Sequence, residues 1–103
     1  MKVYIAGPYT KGDVAANVSK AITAAENLAR HGYTPYIPHL THFWHLIYQH
    51  EIDFWYKYDM EWLETCDCVL RLEGESHGAD AEVKRALELG KKVYFEDIGE
   101  ELE

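Results

Sequence analysis

Cations are scarce in this 103-residue sequence. Lys and Arg together number 10 against 18 Asp and Glu, a net charge of −8. That balance argues against a nucleic-acid backbone or an anionic membrane surface as partner. Long apolar runs are missing as well, since none approaches the roughly 18 residues of a membrane span. The opening stretch, Met1 to Gly7, is too short in apolar length and lacks the cleavage site of a secretion signal. Cysteine is limited to Cys66 and Cys68. One residue apart, they are too close for an unstrained disulfide and lack Cys-x-x-Cys spacing. Two reduced, inert thiols fit a cytoplasmic location. The chain has no linker, repeat or low-complexity tract. What it has is 48% hydrophobic and 14% aromatic residues, enough for a packed core. The expectation is a single domain over 1–103, with 96–103 a frayed acidic tail.

Glycine and proline punctuate alternating units. Lys2 to Ala6 reads as a short apolar strand, and Gly7 to Gly12 as a loop. From Asp13, a candidate N-cap, the apolar residues Val14, Val18, Ala21, Ile22, Ala25 and Leu28 recur at helical spacing, and Gly32 marks the stop. Thr34 to Ile37 reads as a second strand closed by Pro38. His39 to His50 is aromatic and rich in histidine, and periodicity leaves helix and ordered loop open there. Ile52 to Thr65 reads as a helix with Trp55, Tyr58, Trp62 and Leu63 near one face. Cys68 to Leu72 is a third strand, Gly74 to Gly78 a second loop, Ala79 to Leu89 a helix, and Lys92 to Phe95 a fourth strand. This alternation predicts an α/β fold, Rossmann-like or flavodoxin-like, with a parallel sheet of four to five strands and helices on both faces. Ligands in such sheets bind beyond the carboxyl ends of the strands. The two glycine loops are therefore expected to line one pocket.

Two carboxylates stand out. Glu82 falls in or near the first turn of its helix, where the dipole favours an anion; acidic first turns are common, so helix stabilisation alone is the plainer reading. Asp59 sits among Trp55, Tyr56, Tyr58 and Trp62, an aromatic setting that also suits a solvated residue between anchors. Two carboxylates converging on one pocket can cleave a glycosidic bond, one meeting the electron-poor anomeric carbon and the other serving the leaving group or the nucleophile. His39, His42, His45 and His50, with Asp53 nearby, invite a metal reading. Three-residue steps drift around a helix, however, and match no zinc spacing. A pocket wall or subunit contact containing Trp44 suits them better, and no metal or cofactor is expected. The Gly7 loop carries neither dinucleotide nor mononucleotide fingerprint.

Four segments resemble the nucleoside 2-deoxyribosyltransferase superfamily, nearest its 2′-deoxynucleoside 5′-phosphate N-hydrolase branch. They are Val3-Tyr4-Ile5-Ala6-Gly7, Asp59-Met60-Glu61-Trp62-Leu63, Asp67-Cys68-Val69-Leu70 and Ser76-His77-Gly78-Ala79-Asp80-Ala81-Glu82. The likeness spans almost the whole chain, and the order and spacing of the segments carry it. It implies an N-glycosidase that cleaves the base–deoxyribose bond of a deoxynucleoside 5′-monophosphate through a covalent intermediate on Glu82. Asp59 would be the acidic partner, and Tyr4 would position the nucleophile through its hydroxyl. Ser76 stands where the hydrolase branch binds phosphate. Gly7 and Gly78 would admit the ligand close to the backbone. Pro8, Tyr9, Thr10 and Lys11 would line the substrate, with Thr10 and Lys11 in place of that branch's serine and arginine. The His39 to Tyr48 segment, with His39 and Trp44, has no clear counterpart in that family and reads as the base-binding side or a dimer surface.

The alternatives are a deoxyribosyltransferase, in which a second base intercepts the intermediate, and a non-catalytic nucleotide-binding module on the same fold. The partner in each case is a small nucleoside or nucleotide. A domain this small cannot readily bury Phe43, Trp44, Tyr48, Phe54 and Trp55 alone, which predicts a homodimer or higher homo-oligomer. Sedimentation at high protein concentration should show an assembled species; a monomer there would reject that expectation.

Overall fold

The computed structural model describes residues 1–96; the expected acidic tail lies, beyond Glu96, outside the described residues. Four strands form one sheet in the order β2-β1-β3-β4, every pair parallel. They are β1 (Lys2–Ala6), β2 (Thr34–Tyr36), β3 (Cys68–Arg71) and β4 (Lys92–Phe95). The helices are α1 (Val14–Arg30), α2 (Thr41–Ile47), α3 (Ile52–Thr65) and α4 (His77–Glu88), and a single 3₁₀ turn covers Pro38–Leu40. The chain leaves β1 for β2 on one side and returns to β3 on the other, so the switch point falls between β1 and β3.

Alternation along the strands divides the core in two. Val3, Ile5, Cys68 and Leu70 pack against Ala21, Ala25 and Leu28 of α1. Tyr4, Ala6 and Val69 pack on the other face against Leu63 of α3 and Ala79 and Ala86 of α4. Both thiols are free and buried. No helix among the described residues is long and apolar enough to cross a membrane.

Local chemistry sets the element ends. The Asp13 carboxylate accepts from the amides of Ala15 and Ala16 and starts α1. Gly32, at φ +89°, lets the chain leave that helix. The second strand stops at Tyr36 rather than Ile37, because Ile37 turns into the 3₁₀ segment that begins at Pro38. The fourth helix starts at His77 rather than Ala79. Ser76 is its N-cap, its hydroxyl oxygen accepting from the amide of Ala79. Gly78 thus lies inside α4, and Glu82 belongs to its second turn. The dipole fades within the first turn, so it is not what governs Glu82.

The histidine-rich segment is helical from Thr41, and an aromatic cluster docks it. The Trp44 ring sits edge-on to Trp55, Tyr58 and Phe54 of α3, and the Trp55 indole N–H donates to His45 Nδ1 at 2.8 Å. Phe43, Tyr48 and Phe54 stay exposed.

The loops after β1 and β3 press together. A Cβ added to Gly7 would stand 2.9 Å from Leu72 Cβ, and one added to Gly74 only 2.7 Å from Pro8 Cγ. Gly74 also adopts φ +117°, which glycine alone takes without strain. Substituting Gly7→Ala should destabilise by about 1–3 kcal/mol through overpacking. At this size that lowers Tm by about 4 °C or more. An unchanged Tm would mean that Leu72 yields freely.

Candidate active site

Two tyrosines, side by side in register on β1 and β2, reach toward two carboxyls from α4 and α3. Tyr4 is fully buried, and its hydroxyl donates to Glu82 Oε2. The Tyr36 hydroxyl donates to Asp59 Oδ1 at 3.4 Å, a long bond. The two rings lie 5.5 Å apart, and the Trp62 indole stacks on Tyr36 at 5.0 Å. Strand spacing brings the phenols together, and helix packing against the same sheet face supplies a carboxyl to each.

The electrostatics follow from water exclusion. Burial pushes Glu82 up to about 8, with the Asp59 charge adding to the rise; the Tyr4 hydrogen bond and the Arg71 charge oppose it. Burial likewise pushes Asp59 up to about 7 against the Tyr36 hydrogen bond. Both phenols are raised above the ordinary tyrosine value, Tyr4 and Tyr36 alike by burial first and then by the neighbouring carboxylates. They therefore remain neutral donors. The Asp59 charge that raises Glu82 couples the two titrations.

Arg71 completes this side of the sheet. It is buried, and its guanidinium donates to the carbonyls of Leu72 and Gly74 and pairs with Asp80 at 3.0 Å. Asp80, though exposed, is thus paired with a buried cation.

The other expected site residues divide into three groups. Glu82, Tyr4 and Asp59 come together. The loop residues meet one another across the switch point: Gly7 packs on Leu72 and Pro8 against Gly74, and exposed Lys11 pairs with Glu75 at 2.9 Å. Ser76 caps α4 through its oxygen, which leaves its O–H free to donate, and a Cβ added to Gly78 would stand 4.0 Å from that Ser76 oxygen. Thr10 is exposed. The third group sits to the side. The Tyr9 hydroxyl pairs with His42 Nδ1. His39 is buried with Nε2 3.0 Å from the Pro8 carbonyl oxygen, and Trp44 belongs to the α2–α3 cluster. The four histidines fall into two pairs: His39 and His42 share Tyr9, and His45 and His50 share Trp55, with the His50 amide donating to His45 Nδ1. Among the described residues no group of three or more His, Cys, Asp or Glu is placed to hold a metal ion.

Two residues escaped the sequence reading. Tyr36 is indistinguishable from a core aromatic until the β1–β2 register is known. Arg71 did leave a trace: it is the lone charge in the apolar run from Cys68 to Leu72.

The raised Glu82 value has a consequence for stability. Between about pH 4.5 and 8 the folded chain keeps a proton that the unfolded chain gives up. Stability from this group is therefore full at low pH and lost as pH rises through that window. Glu82→Gln stays neutral and can still accept from Tyr4. Its Tm should equal the wild-type value near pH 4.5, exceed it increasingly up to about pH 8 and hold a constant excess above that. A difference that does not vary with pH would rule out the buried, proton-holding Glu82.

No curated protein matches the chain by sequence. Among solved structures it is similar to a 2-deoxyribosyltransferase from the psychrotolerant bacterium Bacillus psychrosaccharolyticus, with a TM-score of 0.68 and 24% identity over 92% of this chain and 71% of that one. At that identity the likeness establishes the fold. Residues 1–96 match the family described as "Domain of unknown function (DUF7768)". With nearly the whole chain covered by that match, the protein belongs to the DUF7768 family, built on the α/β fold seen in a 2-deoxyribosyltransferase.

Proposed function

We infer that the protein is an N-glycosidase acting on 2′-deoxynucleoside 5′-monophosphates, with Glu82 as nucleophile. The observation that carries this reading is the hydrogen bond from fully buried Tyr4 to Glu82, beside a second carboxyl, Asp59, of raised pKa. The shared fold with a 2-deoxyribosyltransferase supports the same chemistry.

In this mechanism a Glu82 carboxylate oxygen forms a bond to the anomeric carbon as the bond from that carbon to the base nitrogen breaks. The electron pair leaves with the base, which takes up the proton held by Asp59. Water then attacks the anomeric carbon, loses a proton to the Asp59 carboxylate and displaces Glu82. The sugar is cationic in both transition states, and an anion at Glu82 stabilises it. In the free protein deeper burial leaves the shared proton more on Glu82 than on Asp59. The developing sugar charge reverses that preference, because it is stabilised only by the Glu82 anion. Tyr4 fixes the attacking group through its hydroxyl. The 5′-phosphate has candidate donors in the Ser76 hydroxyl, Thr10 and Lys11, the last once it is drawn away from Glu75.

The productive form is the singly protonated pair, which prevails between about pH 7 and about 8. Incubation with a panel of deoxynucleosides and their 5′-monophosphates should release free base from one or more monophosphates. Release should be greatest in that interval and fall on either side, and Glu82→Ala should abolish it. Chromatography reads the product. Transfer to an added second base would make the protein a deoxyribosyltransferase. No release from any substrate by folded protein would leave a nucleotide-binding module.

A further inference from the structure

We propose that Arg71 is the positioning residue of this site: its buried guanidinium holds the β3–α4 connection in place and presents a positive charge to Glu82. The proposal deepens the glycosidase reading and rests on it.

The geometry begins with strand alternation. Arg71 pairs in register with Ala6 and lies two residues beyond Val69, so it shares the face of Tyr4 and Glu82. It ends β3 at the switch point, where the chain must turn toward α4. Its guanidinium ties three points of that turn: the carbonyls of Leu72 and Gly74, and Asp80 in the first turn of α4. A planar fork with several donors can span such an arrangement, whereas a lysine ammonium cannot match its geometry. The turn so held contains Gly74, packed on Pro8, and runs on to Ser76, the cap of the helix that carries Glu82.

A strut made only for shape would not need a charge. The residue itself is 8% exposed, while the Asp80 side chain that pairs with it is 69% exposed. Water screens Asp80 and leaves the arginine only partly neutralised. The groups facing Glu82 are then Tyr4 from β1, Asp59 from α3 and Arg71 from β3. Tyr4 is neutral and Asp59 is acidic, so Arg71 is the cation of this set. It offsets the cost of an anion in a partly buried position, and Asp80 moderates how strongly it does so.

Carbon-13 NMR of the Glu82 carboxyl, assigned by comparison with Glu82→Gln, measures this directly and needs no substrate. Arg71→Gln should raise the Glu82 midpoint. Asp80→Asn, a change at an exposed side chain, should lower it. Arg71→Lys should return the midpoint toward wild type while raising KM, because the charge is kept and the fork is lost. The alkaline limb of kcat/KM for base release should move with the NMR midpoint in each variant. If Arg71→Gln does not fold, Asp80→Asn decides: a downward shift supports the proposal, and no shift or an upward one overturns it. Midpoints that stay put while base release proceeds would reject the role of Arg71 and leave the glycosidase intact. Midpoints that move as stated in a protein releasing no base would reject the glycosidase and with it a catalytic purpose for Arg71, while preserving its charge on Glu82.

Discussion

A carboxyl hydrogen-bonded to a tyrosine buried in the sheet is the constraint around which this domain is arranged. Tyr4 lies on one of the two inner strands, flanked by β2 and β3, and reaches Glu82 from beneath α4. For that reach, α4 must sit close to the sheet. The residues at the contact are accordingly small: Ala6 of β1 and Ala79 and Ala86 of α4 are all buried in the same cluster as Tyr4. Bulkier side chains there would lift the helix and part Glu82 from Tyr4. The neighbouring helix α3 anchors on Leu63 in that cluster and carries Asp59 to the second phenol. The opposite face, packed on α1, has no such demands and is filled with Val3, Ile5, Leu28 and Leu70 in the ordinary way.

Much of this architecture was legible in the sequence because it depends on local chemistry. Asp13, Gly32 and Pro38 mark element ends through capping and backbone restriction or freedom, which involve only near neighbours. The third helix was readable over its full length from its periodicity. The start of α4 was not: Ser76 begins that helix two residues before the expected Ala79 by capping it, and the glycine at position 78 suggested a loop that the cap overrides. The segment after Pro38 was unreadable for a different reason. Its aromatic side chains are placed by Trp55 and Tyr58 in another helix, so no internal period reveals them.

The site divides along the same line. Glu82, Asp59 and Tyr4 were nameable, but only by resemblance to a known arrangement; position alone favoured a plain helix-stabilising role for Glu82. The partnership of Tyr36 with Asp59 depends on the register of two strands some thirty residues apart in sequence. The partnership of Arg71 with Asp80 depends on how β3 turns into α4. Both are long-range facts that no local pattern encodes. The loop residues show the reverse case. Lys11 and Ser76 were readable as phosphate contacts, yet in this structure each already has a partner within the chain, Glu75 for one and the Ala79 amide for the other.

The shortest strand bears on how the molecule behaves among its own kind. In β2 the Thr34 amide donates inward to the Met1 carbonyl oxygen, so the residue after it directs its backbone nitrogen away from the sheet. That residue is Pro35, which has no N–H to offer. The outer margin of the sheet thus lacks a donor at the midpoint of a three-residue strand. An unfolded or misfolded copy meeting that margin finds a poor template for strand addition, and the edge is protected against aggregation without any charge being spent on it.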